Sequence, residues 1–138
     1  MTVVIACLDA RVDLDLEGGD YAVLRNLGGR VTPDVLTQLA ILGVLTAGGD
    51  GTDVSNVVVV HHTDCDTSRL ADPELAARAA VAAGVEVAEL EDLVVDNPAA
   101  TVTADVGLLR KVLGRSARIT GIVYDVASGE SRVAWRTG

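Results

Sequence analysis

The sequence predicts an α/β fold in which helices flank a mostly parallel central sheet and an antiparallel hairpin forms one edge. Apolar runs of strand length alternate with segments of helical periodicity, and this alternation is typical of parallel sheets with crossover helices. The four consecutive valines at 57–60 indicate a strand buried on both faces, since β-branched side chains fit the pleat. Ser128 and Gly129 separate the last two strand-like runs, so a hairpin is predicted there.

The local patterns assign most of the chain to regular elements. Strands are predicted at 2–7, 20–25, 57–60, 118–126 and 131–135. Helices are predicted at 32–46, 72–83 and 103–113, beginning at Thr32, Asp72 and Thr103, whose side chains can cap a helix. Residues 85–90 fit a short strand, residues 92–100 fit no single element, and the glycine-bearing stretch 47–56 is expected to be a flexible loop.

The composition is that of one aliphatic domain. At 138 residues, of which 49% are hydrophobic, the chain is long enough to bury a core without disulfides. Aromatic residues are nearly absent, so a site built on base stacking is not expected. The net charge of -9 would repel a polyanion, because nucleic-acid affinity comes largely from Lys and Arg. We therefore predict a single domain over residues 1–138 with no nucleic-acid partner.

The same sequence features predict a cytoplasmic protein that does not interact with membranes. No apolar run reaches the ~20 residues that a membrane-spanning helix needs. The N-terminus enters a strand at once, with no basic region and no cleavage site, so no signal peptide is expected. Without export signals, the two cysteines, Cys7 and Cys65, are expected to be thiols in a reducing compartment.

Both cysteines and two adjacent histidines stand at the ends of predicted strands. Cys7 closes the run 3–7, whereas His61, His62 and Cys65 follow the valine strand. Sites in open α/β sheets form beyond the carboxyl ends of strands, so these side chains converge if the two strands are parallel neighbours. Two thiolates and one imidazole suit Zn²⁺, and three protein ligands rather than four favour a catalytic site with an open position.

His62 is preferred over His61 as the third ligand. His62 and Cys65, three residues apart, can reach one ion from a turn, whereas His61 lies on the opposite face of the strand. His61 is therefore expected to be a packed group behind the site. Two alternatives stay open: the cysteines can be inert buried thiols or a disulfide, and the histidines can be ordinary polar residues at a strand end.

The residues after Cys7 add a charged pair. Asp9 and Arg11 follow Cys7 at alternate positions, which share one face in extended backbone. Arg11 can then hold the Asp9 carboxylate in a bidentate pair beside the metal. The alternative is a solvated surface ion pair, which contributes little to stability.

Three motifs in this order resemble the β-class carbonic anhydrases. The family patterns CxDxR, RNxxG and HxxC read here as Cys7-Leu8-Asp9-Ala10-Arg11, Arg25-Asn26-Leu27-Gly28-Gly29 and His62-Thr63-Asp64-Cys65. The resemblance implies a zinc lyase with Cys7, His62 and Cys65 as metal ligands and with Asp9 and Arg11 as the catalytic dyad. It also implies reversible hydration of carbon dioxide to bicarbonate by a zinc-bound hydroxide, in a homodimer or larger assembly.

In the expected mechanism, Asp9 would accept the hydrogen bond of the hydroxide while Arg11 keeps Asp9 ionised and off the metal. The resemblance also permits a resting state in which Asp9 is the fourth ligand.

Two rival functions stay open. Hydrolysis of carbonyl sulfide or carbon disulfide requires the same attack on a linear molecule, so the residues at the metal do not separate the substrates. The other rival is a non-catalytic family member that binds zinc for folding.

Overall fold

The structure is a computed structural model that describes residues 1–16, 18–46 and 54–137. Within these residues five strands form one sheet: β1 Thr2–Cys7, β2 Tyr21–Asn26, β3 Asn56–His62, β4 Arg118–Tyr124 and β5 Ser131–Arg136. The strand order is β2-β1-β3-β4-β5. All neighbouring pairs are parallel except β4 and β5, which are antiparallel. The predicted fold class, a mostly parallel sheet with an antiparallel edge, is confirmed.

Four helices lie in the described part of the chain: α1 Pro33–Thr46, α2 Pro73–Ala83, α3 Val87–Leu90 and α4 Pro98–Leu113. Short 3₁₀ turns lie at Leu27–Gly29, Asp66–Ala71 and Glu91–Leu93. Helix α2 begins as predicted, because the Asp72 carboxylate accepts the N–H of Glu74, and it ends at Gly84 in the left-handed conformation. None of these helices is long and apolar enough to cross a bilayer.

The segment before α4 differs from the sequence prediction. Residues 85–90 hold helix α3 rather than a strand, because Leu90 packs against Ala76 and Ala80 of α2. Helix α4 begins earlier than predicted, since the Asn97 side chain accepts the N–H of Ala100 at 3.2 Å and Pro98 occupies the first turn. Thr103 lies inside this helix instead of capping it. Most of the predicted loop 47–56 lies outside the described residues.

The main core lies between the sheet and the helices α1 and α4. It is aliphatic, as the composition predicts, and its largest buried members include Ile5, Val35, Val59, Val106 and Leu109. Helix α4 approaches β4 closely because Gly121 has no side chain: a Cβ there would lie 3.0 Å from Val106 Cγ2. The opposite face of the sheet is covered by Val12 and the partly buried Leu14 and Leu16.

The topology brings the ends of β1 and β3 to one edge of the sheet. The two strands are parallel neighbours, so Cys7 and His62, their last residues, lie at the same end. The turn Leu27–Gly29 follows β2 at this edge, and its backbone comes close to both strands. A Cβ at Gly29 would lie 2.7 Å from the Val60 carbonyl oxygen, and its φ of 65° also favours glycine.

Candidate metal centre

Three buried side chains meet at the carboxyl edge of the sheet. Cys7 ends β1, His62 ends β3, and Cys65 lies in the turn that follows. Their candidate ligand atoms all lie within 4.8 Å of one another. The three residues are 5%, 1% and 3% exposed, so only a small part of the surface of each one is open to solvent. The structure thus brings together the three residues that were predicted from the sequence as metal ligands.

The ring of His62 presents a free nitrogen to this cluster. Nδ1 lies 2.7 Å from the Thr63 carbonyl oxygen, which only accepts, so Nδ1 carries the hydrogen and the neutral ring keeps its lone pair on Nε2. Nε2 is buried and has no hydrogen-bond partner among the described residues. A buried nitrogen of this kind, with the other nitrogen oriented by a carbonyl, fits a metal ligand.

The two sulfur atoms differ in charge when no metal is bound. A hydrogen bond from Cys65 is the largest of the contacts that lower the pKa of Cys7 to about 4, against the effect of burial. The same contact raises the pKa of Cys65, and burial adds to the rise. Burial opposes a charge on His62, but the Cys7 sulfur and the Thr63 carbonyl outweigh it and raise the pKa of His62. Cys7 is therefore a thiolate, whereas Cys65 and His62 hold their protons more tightly than usual. A divalent cation suits this cluster, because it binds the thiolate and displaces the remaining protons.

Asp9 and Arg11 form a bidentate pair beside the cluster. Arg11 Nε lies 3.1 Å from both carboxylate oxygens of Asp9, and Nη2 lies 2.7 Å from Oδ2. The side chain and the backbone N–H of Arg11 hold the pKa of Asp9 at about 2, so the carboxylate is ionised at neutral pH. Asp9 Oδ2 lies 3.9 Å from His62 Nε2, next to the candidate metal position. The pair is partly shielded, since the Asp9 side chain is 18% exposed.

Asp64 belongs to the site although sequence reasoning did not single it out. Arg11 Nη1 donates to Asp64 Oδ2 at 3.0 Å, and Arg11 Nη2 donates to the backbone oxygen of Asp64 at 3.0 Å. Asp64 has a φ of 52°, a left-handed conformation that aspartate tolerates better than most residues. Its place inside the HxxC motif was the only available signal, because its bonds to Arg11 join distant parts of the chain.

His61 faces away from the cluster, toward α4. Its Nδ1 lies 2.7 Å from Thr101 Oγ1, and its Nε2 lies 3.1 Å from Asp105 Oδ2. Asp105 is buried and also accepts bonds from the Arg30 side chain and the Val31 N–H. Burial opposes ionisation of Asp105, but these hydrogen bonds outweigh it and lower the pKa. No local pattern marks Asp105 as a buried residue, because an acidic residue within a helix is usually solvated.

An open cleft leads from solvent to the two sulfurs. Leu8 and Leu27, which are 57% and 51% exposed, form an apolar wall, and Asp9 and Arg11 form a charged one. Cys7 and Cys65 lie in its lining together with Asp64, Asp66 and Thr67. A small uncharged molecule can therefore approach the cluster along apolar surface.

Comparison with known proteins assigns this arrangement to a family. A family model described as carbonic anhydrase matches residues 2–87, the segment that holds the cluster and the dyad. The β-carbonic anhydrase 1 of Mycobacterium tuberculosis is 35% identical over 75 residues, which are 51% of this chain and 42% of the relative. The chain therefore matches less than half the length of that relative. A carbon disulfide hydrolase of Acidianus sp. (strain A1-3) is 28% identical across 94% of this chain and 74% of its own.

Solved structures give the same assignment. A carbonic anhydrase from Streptococcus mutans superimposes with a TM-score of 0.77 and 30% identity over 97% of this chain and 81% of that one. The apo form of a carbon disulfide hydrolase gives a TM-score of 0.71 and 27% identity over 95% and 76%. With its motifs inside the matched segment, its parallel sheet and its Cys-His-Cys cluster, this chain belongs to the β-class carbonic anhydrase family, which is zinc-dependent in general.

Proposed function

We propose that this protein is a zinc-dependent carbonic anhydrase that reversibly hydrates carbon dioxide to bicarbonate. The observation that carries the proposal is a buried Cys7-His62-Cys65 cluster next to an ionised Asp9 that Arg11 holds in place. Family membership supports carbon dioxide hydration in general terms. The roles of individual residues and the preference among substrates are part of the proposal.

Cys7 Sγ, Cys65 Sγ and His62 Nε2 would hold the ion and leave one position open. A bound zinc ion supplies a coordinated water whose pKa is lowered toward neutrality. The orphaned lone pair of His62 Nε2 supports this ligand set, because metal binding would satisfy the one nitrogen of the ring that lacks a partner. The sequence has no third cysteine to take the fourth position, and the second histidine, His61, is bonded to Thr101 and Asp105 instead, so the ligand count favours a catalytic site.

Asp9 orients the attacking oxygen. With a pKa of about 2 it is an acceptor only, and its Oδ2 lies 3.9 Å from His62 Nε2. A hydrogen bond from the nucleophile to this oxygen would turn a lone pair toward the carbon atom of carbon dioxide. Attack would form the new C–O bond of bicarbonate while one π bond of carbon dioxide opens and its electron pair passes to oxygen; the proton released when the water becomes hydroxide would leave to solvent.

Arg11 keeps Asp9 in that position. Its donors occupy both carboxylate oxygens, and its contacts with Asp64 hold the guanidinium itself. A carboxylate without this restraint would be free to compete for the open metal position. Arg11 therefore acts through Asp9 rather than on the substrate.

Hydrolysis of carbon disulfide or carbonyl sulfide is the second candidate. The similarity to the Acidianus carbon disulfide hydrolase across 94% of the chain favours it. Zinc-loaded protein should be assayed for carbon dioxide hydration and for hydrogen sulfide release from carbon disulfide. Hydration without sulfide release supports the first function, and sulfide release without hydration supports the second. Neither activity in protein that carries one zinc per chain would point to a non-catalytic family member.

We also propose that the chain is one domain that acts as a homodimer or larger assembly in the cytoplasm. The edge strand β2 and helix α1 carry a row of exposed apolar side chains: Val23, Ile41, Val44 and Leu45. A second copy of the chain would cover this surface, which a soluble monomer seldom leaves open. The two cysteines are free and buried, which is consistent with a reducing compartment.

A further inference from the structure

A hydroxyl group lies against one of the two sulfur ligands. Thr67 Oγ1 is 3.1 Å from Cys65 Sγ, and Thr67 is only 4% exposed. The same oxygen accepts the backbone N–H of Val95 at 3.1 Å. Val95 in turn belongs to the same buried cluster as Cys7 and Cys65. The hydroxyl therefore has a fixed partner on each side in a buried corner of the site.

The direction of the bond between Thr67 and Cys65 follows from the available hydrogens. A threonine hydroxyl has one hydrogen to donate and two lone pairs to accept with. The Val95 N–H already occupies one lone pair of Thr67. When Cys65 binds a metal it is a thiolate and has no hydrogen to give, so Thr67 must be the donor.

We propose that Thr67 is a positioning residue that reduces the electron donation of Cys65 to the metal. This inference rests on the proposed function, because it takes Cys65 as a zinc ligand. A donated hydrogen bond draws charge away from the sulfur, so the bound ion stays a stronger Lewis acid than two bare thiolates would allow.

The other sulfur has an equivalent donor. The backbone N–H of Gly28 lies 3.3 Å from Cys7 Sγ, so each sulfur receives one hydrogen bond from a neutral group. Gly28 cannot be replaced cleanly, because its φ is 78° and a Cβ would lie 2.9 Å from the Leu93 carbonyl oxygen. Thr67 is the donor that a single substitution can remove.

A buried ion pair fixes the segment that holds Thr67. Asp105 accepts from Arg30 Nε at 2.9 Å, and Arg30 Nη1 donates to the Val94 carbonyl at 2.7 Å. Val94 precedes Val95, whose N–H holds the Thr67 oxygen. The hydroxyl is therefore oriented toward Cys65 before any metal binds.

The test uses protein loaded with Co²⁺, which accepts the same tetrahedral ligands and shows a sulfur-to-metal charge-transfer absorption. Thr67→Ala removes the hydroxyl, and Thr67→Val removes it while filling the space that a substitute water would take. Loss of the hydrogen bond raises the energy of the sulfur lone pair, so the absorption should move to longer wavelength in both variants. Thr67→Ser keeps the hydroxyl and should restore the native spectrum.

Thr120→Ala is the matched control, because Thr120 is a buried threonine of β4 outside the cluster and the cleft. It loses the same hydroxyl and should leave the absorption unchanged. If the Thr67→Val methyl group crowds Cys65 and prevents folding, Thr67→Ala still gives the answer. A native spectrum in the folded Thr67 variants overturns the role of Thr67 alone. Failure of the unmodified protein to bind cobalt overturns the metal site, and this inference with it.

Discussion

Arg11 is bonded to Asp64 through both the side chain and the backbone of that residue. Nη1 lies 3.0 Å from Asp64 Oδ2, and Nη2 lies 3.0 Å from the Asp64 carbonyl oxygen. Asp64 lies in the turn between His62 and Cys65, so one guanidinium joins the end of β1 to that turn. The same guanidinium holds Asp9. The orientation of Asp9 therefore depends on both strand ends.

Arg11→Ala should lower carbon dioxide hydration by roughly 100-fold, because Asp9 loses the group that orients it. Zinc content should stay near that of the native protein, since the hydrogen bonds of Arg11 within the described residues go to Asp9 and Asp64 and not to the three ligands. Asp9→Ala should also retain zinc, and the losses in the double variant should be far from additive. Rates and metal content are measured together, with Arg115→Ala as an exposed arginine control. Unchanged hydration, or joint loss of fold and zinc, would show that the pair is structural.

Asp64→Asn should reduce activity less than Arg11→Ala does, because the backbone carbonyl still accepts from Arg11. Its stability should stay nearly native, since the Asp64 side chain is 79% exposed and such ion pairs contribute little. Asp64→Val should be destabilised by about 1–2 kcal/mol, because a β-branched residue is strained at a φ of 52°. Denaturant unfolding measures both variants. Equal stability of Asp64→Asn and Asp64→Val would contradict the strain expected for a β-branched residue in this left-handed conformation.

Cys65→Ser should lose most of its zinc and unfold at a lower temperature, because metal binding contributes to folding free energy. A chelator should lower the melting temperature of the native protein in the same way. The chelator should leave the variant almost unchanged, which serves as the internal control. A Cys65→Ser protein that keeps about one zinc per chain would remove Cys65 from the ligand set.

Asp105→Asn should destabilise the protein by about 3 kcal/mol near neutral pH, because it breaks a buried ion pair and leaves Arg30 without its carboxylate. Thermal or denaturant unfolding measures the loss. Asp34→Asn, at an exposed position of α1, is the control.

The free energy of unfolding of Asp105→Asn should depend less on acid pH than that of the native protein. The folded pKa of Asp105 lies below its value of about 3.9 in an unfolded chain. Its contribution to stability is therefore complete above the unfolded pKa and is lost as the pH falls through the folded pKa. The free energy of unfolding, measured from about pH 6 to about pH 3, should fall more steeply in the native protein than in Asp105→Asn. Parallel curves would mean that the pKa of Asp105 is the same in the folded and the unfolded chain, so that the buried ion pair does not lower it.

Sedimentation should give a dimer or a larger assembly. Ile41→Glu should weaken it, because it places a charge in the apolar groove between α1 and β2. Val112→Glu, at an exposed apolar position of α4, is the matched control. A stable monomer with full activity would contradict the proposed assembly.

The sequence predicted the sheet and the meeting of Cys7, His62 and Cys65 because strand ends are marked locally by the change from apolar to polar residues. The strand predicted at 85–90 is wrong, because the conformation of these residues depends on the packing of Leu90 against α2. Local composition does not contain that contact.

The residues that orient the metal ligands or the segments around them were not predicted from the sequence, for a related reason. Thr67 and Asp105 each gain a role through partners brought near by the fold, such as Val95 and Arg30. Taken alone, a threonine after a cysteine and an aspartate in a helix look like ordinary solvated residues. Ligands placed by the strand pattern are predictable, whereas the groups that orient those ligands need the three-dimensional structure.

The adjacent histidines of β3 oppose a shift of this strand relative to its neighbours in the sheet during folding. Valine lies on both faces of the strand at 57–60, so a shift by one residue exchanges valine for valine at three of these four positions. The polar residues at the ends of the strand distinguish the alternatives. A shift in one direction turns Val60 toward Asp105, and a shift in the other turns Thr63 toward the cysteines; either one leaves a buried polar group without its imidazole. The valines therefore stabilise β3 in any alignment, and the two histidines select the correct one.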